Sequence, residues 1–441
     1  MSGGAGFAGE RSAERLLSQP GPLTMPGYRP RLVESDIAAA LSRVGAVVVD
    51  GARACGKTCT SRRFARSEAR LDDPATMLLA ETTPEALLAG SVPRLLDEWQ
   101  HAPTLWNSVR RECDDRAEPG QFILTGSAVP ADDVTRHSGM GRIARVRMRP
   151  MSLFESGHSG GEVSIGALLD GETAGALPSG AALNDVASWI CAGGWPANLG
   201  ASATAATRTI GDYINEAARV EVADAVGVRH QPEALLRLMR SIARNVSTEA
   251  NLTALASDAG GQTPLARSTA AAYMDALERI FVVEPQPAWS VQMRSRATLR
   301  KTPKIHFVDP SLAASALRAT PRRLLSDPET LGLLFESLVV RDLRVYSQVH
   351  TGSLYHYRDS VGLEADAVVE RDDGAWLAVE AKLSPSPKSV SAAAASLLRL
   401  RDKVSARRAQ DLATLLVVTS TGAAYRRKDG VQVAPVTTLG P

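Results

Sequence analysis

Residues 51–58 read G-A-R-A-C-G-K-T, a full match to G-x-x-x-x-G-K-[ST], and they directly follow the apolar run A-V-V-V at 46–49. Few local patterns restrict a fold as strongly. The run is short and β-branched and ends at Asp50-Gly51, which suits a buried parallel strand. Gly51 and Gly56 let the backbone curl so that its N–H groups point at phosphate oxygens. A helix starting at Lys57 would turn its N-terminus towards the same anion. Lys57 sets a cation against the β- and γ-phosphates, and the Thr58 hydroxyl suits magnesium. The strand before and the helix after separate this loop from a chance glycine turn. The ligands expected are ATP and Mg2+.

Three further segments fit the same chemistry. Arg94-Leu95-Leu96-Asp97-Glu98 is an apolar run ending in two carboxylates, one βα unit after the loop. A carboxylate at a strand end reaches the magnesium shell, the role expected of Asp97. Glu98 beside it can orient and deprotonate an attacking water. Next comes Phe122-Ile123-Leu124-Thr125-Gly126-Ser127, another strand with small polar residues at its end. Thr125 and Ser127 both qualify to hold the water or sense the γ-phosphate. Finally, Gly139-Met140-Gly141-Arg142 offers an arginine finger, a group often supplied by a neighbouring subunit, which would imply a homo-oligomer. Arg145, Arg147 and Arg149 alternate like one face of a strand.

The alternation of apolar runs with helical segments predicts a parallel sheet with helices on both faces. A helix is expected over 37–44, strands over 46–49, 77–80, 94–96 and 122–125, and a polar helix over 57–69. Residues 1–27, rich in Gly, Ala, Ser and Pro, are expected to be a flexible N-terminus, followed by a core over 28–155. Gly, Ser and Ala dominate 156–183, read as a linker with one short helix near 165–169. A helical domain then spans 184–325, and an α/β domain 326–441, with a helix over 331–345, strands over 364–370 and 375–382, a helix over 389–404 and a strand over 413–419.

With 441 residues, there is chain enough for several cores, and a formal net charge of +2 argues against global attraction to nucleic acid or anionic membrane. The four cysteines, Cys55, Cys59, Cys113 and Cys191, form no metal-ligand pattern and read as reduced thiols. No apolar stretch approaches the ~18 residues that would span a bilayer, and the charged N-terminus is no signal peptide, so a cytoplasmic location is expected. His101, His137, His306 and His356 have no partner pattern.

The motifs taken together resemble a family of bacterial and archaeal AAA-type ATPases with a C-terminal domain of unknown function. G-A-R-A-C-G-K-T, L-L-D-E-W-Q, F-I-L-T-G-S, G-R and R-P-M-S-L-F-E occur in the family's order and spacing. So do G-G-W-P (193–196), K-I-H-F-V-D-P (304–310), G-L-L-F-E (332–336), G-L-E-A-D (362–366) and V-E-A-K (379–382). The chain departs from the family at Cys55, Cys59 and Trp99. The resemblance implies an AAA-like core, a winged-helix-like middle and a nuclease-like C-terminal fold. It supplies no substrate.

The residues of the last two parts support two readings each. Two helices over 252–259 and 267–281, then Arg294, Arg296, Arg300, Lys301 and Lys304, could form a winged helix with a basic wing on DNA. Such a segment serves equally as a protein-binding or lid module. Ala270, Tyr273, Leu277 and Phe281 fall at helical spacing and are expected in a core, and Trp195 is expected to anchor packing. Further on, Glu380 and Lys382 share a strand face, Asp366 lies across a hairpin, and Glu336 sits on a preceding helix. This resembles the PD-(D/E)XK nuclease core, in which carboxylates such as Asp366 and Glu380 bind a metal and a lysine activates water. Two functions stay open: an ATP-driven switch coupled to DNA or a protein partner, and an ATP-regulated metal-dependent nuclease.

Overall fold

The structure, a computed structural model, describes residues 14, 16–18, 21–129, 138–222, 231–260, 265–290 and 302–441. It divides into two compact units: Met1–Arg149 with Arg279–Phe281, and Pro150–Glu278 with Val282–Pro441.

The first unit is built on strands β1 (Ala46–Asp50), β2 (Ser67–Arg70), β3 (Arg94–Asp97), β4 (Phe122–Gly126) and β5 (Ile143–Arg147), in the order β2-β3-β4-β1-β5. Every pairing is parallel, as the alternation of elements predicts. The central strand β1 runs in step with both neighbours, from Ala46 opposite Phe122 and Ile143 to Asp50 opposite Gly126 and Arg147. All five β1 residues are buried, which is why the strand is a continuous apolar run rather than an alternating one. On one face, Val48, Leu96 and Leu124 pack against Trp99, Leu105, Trp106 and Val109.

Two local expectations fail in this unit. The helix after the loop covers only Lys57–Arg62, and the chain then enters β2 instead of continuing as helix. As an edge strand with only Ala69 buried, Ser-Glu-Ala-Arg shows no apolar period; the β3 ladder and an Arg62–Glu68 ion pair of 2.6 Å define it instead. Residues 77–80 are not a strand but part of a helix, Pro74–Thr82. An apolar run of four fits either form. The start signal decides: Asp73 accepts from the Thr76 N–H at 3.0 Å, and proline opens the first turn.

In the second unit, a helical part, including Leu183–Ala192, Ala203–Glu216, Pro232–Arg244, Leu252–Gly260 and most of Arg267–Arg279, precedes a six-stranded sheet. Its strands are β7 (Gly352–Arg358), β8 (Glu364–Arg371), β9 (Trp376–Lys382), β10 (Leu412–Thr419), β11 (Tyr425–Arg426) and β12 (Gln432–Pro435), ordered β11-β12-β10-β9-β8-β7. Strands β7, β8 and β9 pair antiparallel; β9, β10 and β12 pair parallel, with helix Pro387–Lys403 crossing between β9 and β10. Trp289 and Trp376 meet at a ring separation of 4.6 Å in the core beneath that helix. Residues 156–183 carry β6 (Val163–Ser164), which pairs with β13 (Leu439–Gly440), and helix Ile165–Leu169, whose Ile165, Leu168 and Leu169 are buried. Ala270, Tyr273 and Leu277 are buried on helix Arg267–Arg279 as their spacing predicts, whereas the helix ends before Phe281, which is buried at φ 59° beyond it. Among the described residues, no helix is long and apolar enough to cross a membrane.

Buried charge ties this unit together. Arg341 on helix Pro328–Gln348 reaches Asp309 at 2.9 Å and Asp342 at 2.6 Å, with all three side chains almost fully enclosed. Asp309 also accepts the N–H groups of Gly194 and Ser311, each at 2.9 Å, while Asp342 accepts that of Leu153 at 3.2 Å. A Cβ at Gly194 would lie 1.9 Å from the Met151 carbonyl oxygen, so only glycine fits there. Trp195 is buried beside it, its indole N–H donating to Ser311 at 3.0 Å. The separated motifs M-S-L, G-G-W-P and V-D-P thus meet around one guanidinium. Arg341→Ala leaves two carboxylates buried without their cation and is expected to lower the unfolding free energy by about 3–5 kcal/mol, read by urea denaturation. A loss below about 1 kcal/mol would mean that the carboxylates are stabilised without it.

Candidate functional site

At the C-terminal edge of the five-stranded sheet, the loop 51–58 leaves β1 and turns into helix Lys57–Arg62. A Cβ on Gly51 would lie 2.0 Å from the Met148 carbonyl oxygen, and Gly56 has φ +106°. Both glycines are therefore required by the path of the backbone. The Lys57 ammonium donates to the carbonyls of Gly51 and Ala52, each at 2.9 Å, which sets its charge inside the curl of the loop. Arg31 braces the loop from outside: its guanidinium donates to Cys55 O and Arg149 O, each at 2.9 Å. The Cys55 thiol is fully buried, and all four cysteines are free.

Parallel pairing brings the other expected residues to the same edge. The Thr58 hydroxyl donates to Asp97 Oδ1 at 2.8 Å, and the Thr125 hydroxyl donates to that same oxygen. Burial raises the Asp97 carboxyl above its ordinary range, against the two hydroxyl hydrogen bonds that lower it. A hydroxyl and a carboxylate converging in this way form the hard oxygen set that magnesium takes. The lysine, the glycine curl and this oxygen pair fit a magnesium-bound nucleoside triphosphate.

Glu98 lies in the left-handed region at φ 59°, uncommon for a side chain of its kind. Its N–H donates to Thr125 Oγ1 at 3.2 Å, which holds the turn. Its carboxylate accepts from the Gln100 amide and from the Ser127 hydroxyl, the latter at 3.2 Å. Gln100 also donates to Ser127 at 3.1 Å. Thr125 and Ser127 therefore divide the work: Thr125 contacts Asp97 and the Glu98 backbone, and Ser127 contacts the Glu98 carboxylate. Sequence reasoning misses Gln100 and Arg31. The D-E-W-Q motif contains Gln100, but nothing in the spacing reveals that its amide turns back two residues.

The arginines separate along β5. Arg142 precedes the strand, at the N-terminal edge of the sheet, where its guanidinium pairs with Asp114 at 2.7 Å and is about half exposed. Arg145 pairs with Asp50 at 2.6 Å, at the β1 end nearer the loop. Within its own chain, Arg142 is thus a full strand length from the loop.

In the second unit, the four expected residues of the acidic cluster also meet. Lys382 lies 2.6 Å from Glu380 on β9 and 3.8 Å from Asp366 on β8. Asp366 accepts the Ala381 N–H at 2.8 Å. Glu336, on helix Pro328–Gln348, joins them through a fifth residue: Lys304, 2.7 Å from Glu336 and 3.5 Å from Asp366. Contrary to expectation, Lys304 is not part of an exposed basic wing. It is almost fully buried, because its backbone bridges Gln286 in both directions, at 2.8 and 3.0 Å, and directs its side chain inward. Arg294, Arg296, Arg300 and Lys301, like His137, lie outside the described residues.

Burial, with Asp366 adding to it, pushes the Glu336 carboxyl up to about 8 and Glu380 up to about 7. Burial opposes charge on Lys304 and Lys382 too, but the carboxylates outweigh it and hold both ammonium groups above their ordinary range. His306, enclosed between Gln286 at 2.9 Å and Ser337 at 3.2 Å, is held neutral by burial.

Three family models match parts of the chain. Residues 44–156 match the AAA domain family, 183–323 a domain of unknown function (DUF8612), and 331–439 another (DUF4143). Uncharacterised proteins of Mycobacterium tuberculosis and Mycobacterium bovis are each 25% identical over 339 residues, 75% of this chain and 69% of theirs. Among solved structures, the Walker-type ATPase of Pyrococcus abyssi aligns with 68% of this chain and 99% of its own, at 11% identity and a TM-score of 0.40. With the AAA family matched on the phosphate-loop sheet and DUF4143 on the C-terminal sheet, the chain carries an AAA domain of the P-loop ATPase kind and, after it, a C-terminal domain of unknown function.

Proposed function

We propose that the chain hydrolyses magnesium-bound ATP in its first unit and uses the change of nucleotide state as a switch for binding DNA or a protein partner. One observation carries the hydrolytic part: the hydroxyls of Thr58 and Thr125 converge on one carboxylate oxygen of Asp97 while Glu98 is held immediately alongside. In this reading, the curl from Gly51 to Gly56 holds the phosphates and Lys57 neutralises the β- and γ-phosphate charge. Thr58 and Asp97 would hold magnesium, whose charge would offset that of the phosphate oxygens. Glu98 takes the proton of the attacking water. Thr125 fixes the backbone at Glu98, and Gln100 with Ser127 aims its carboxylate.

Arg142, across the sheet from its own loop, serves as a finger only in a homo-oligomer, where it would face a neighbouring copy's nucleotide. The partner-binding part rests on helices Leu252–Gly260 and Arg267–Arg279 as the helical half of a winged-helix-like module. The chain is expected to work in the cytoplasm.

The second reading is an ATP-regulated, metal-dependent nuclease using Asp366, Glu380, Glu336 and Lys382. In its favour is the meeting of all four side chains in one cluster. Against it is the second lysine within that cluster. The switch is therefore the reading adopted.

Lys57→Ala is expected to weaken Mg-ATP binding about tenfold to a hundredfold in calorimetric titration, the worth of a charge-assisted contact. A folded sample of the unaltered chain that refuses both ATP and GTP would end the reading. Glu98→Gln should keep nucleotide affinity while slowing turnover by about a hundredfold or more; an unchanged turnover would remove Glu98 as the base. Gln100→Ala is expected to reduce kcat by about tenfold without shifting nucleotide affinity, since the amide touches only the base and its neighbour. A matched fall in affinity would mean that Gln100 supports the loop instead.

A further inference from the structure

The acidic cluster of the second unit contains its own cation. Glu336, Asp366 and Glu380 come from a helix and two strands and are joined to one another through two lysines. Lys304 reaches two of the three. Its ammonium is 2.7 Å from Glu336 and 3.5 Å from Asp366, on a side chain that is 5% exposed. Lys382 is engaged with Glu380 at 2.6 Å and Asp366 at 3.8 Å. The oxygens of Asp366 are divided between these partners: Oδ1 faces Lys304, while Oδ2 accepts the Ala381 N–H and faces Lys382.

We propose that Lys304 is a built-in counter-cation that takes the place of a divalent metal between Glu336 and Asp366, so that the C-terminal domain works without a metal of its own. Three carboxylates against two ammoniums leave at most one net negative charge to attract a dication. Such an ion would also stand beside both ammoniums and be repelled by each. Nor can Lys304 swing away as a surface lysine could. Its backbone N–H and C=O are both paired with Gln286, and its stem is buried. Among the described residues, no group of three or more His, Cys, Asp or Glu side chains is arranged to hold a metal ion. The inference concerns the second unit alone and stands whether or not the nucleotide reading does.

The test is titration of the full chain with Mn2+, without nucleotide, with bound ion read by electron paramagnetic resonance. Asp97→Asn in every sample silences the phosphate-loop site. With Lys304 intact, no Mn2+ should bind that a further Asp366→Asn substitution removes. Lys304→Met, which keeps length and volume but not charge, should gain one Mn2+ per chain, lost again on adding Asp366→Asn. Lys304→Arg should behave like the intact chain. The proposal is overturned if the Lys304-containing chain binds an ion that depends on Asp366, or if a folded Lys304→Met chain gains none. Should Lys304→Met fail to fold, the comparison of intact chain with Asp366→Asn still decides: an Asp366-dependent ion overturns the proposal, and its absence supports it.

Discussion

Strands that pair parallel and in step must all finish on one edge of their sheet, and the site of the first unit exists because of that constraint. β1 ends at Asp50, β3 at Asp97 and β4 at Gly126, each running into a loop on the same side. Leu96 opposite Leu124 places Asp97 beside Thr125, so their hydrogen bond results from the register. Thr58 and Asp97, 39 positions apart in sequence, become hydrogen-bonded neighbours across that edge. The same geometry removes Arg142 from the site. It comes before β5, and Ile143 pairs with Ala46 at the opposite edge. Five strand residues span roughly 16 Å, too far for one side chain to cross. A catalytic part for Arg142 is thus a statement about assembly.

Legible in the sequence are the patterns that burial or phosphate chemistry writes locally. The loop, the apolar β1 and β4 runs and the Asp97-Glu98 pair each announce themselves within a few residues. The edge strand β2 does not, because an edge strand needs no apolar face. The helix at Pro74–Thr82 mimics a strand since its Leu78 and Leu79 are apolar but exposed, removing the usual link between hydrophobicity and core. Gln100 and Arg31 escape for another reason. Each supports the site through contacts that depend on how the chain bends, at Glu98 in one case and between Cys55 and Arg149 in the other.

The C-terminal site shows the limit most clearly. Its acids are legible because strand alternation and a hairpin turn fix which side chains share a face. Lys304 is not, because a lysine within a run of basic residues ordinarily marks a solvated surface. Here the segment from Lys304 to Asp309 lies along helix Pro328–Gln348 and meets it through polar groups: Lys304 to Glu336, His306 to Ser337, Asp309 to Arg341. An apolar strand pressed against that helix would have been easy to recognise and could have slid in register. Three polar contacts with different partners permit one alignment. That alignment delivers Lys304 to the acids and, five residues later, Asp309 to the Arg341 guanidinium, whose two carboxylate partners, Asp309 and Asp342, accept the N–H groups of Gly194 and Leu153. The charge balance of the cluster and the packing of the helical part are therefore set by the same short segment. A substitution that shifted it would disturb both together.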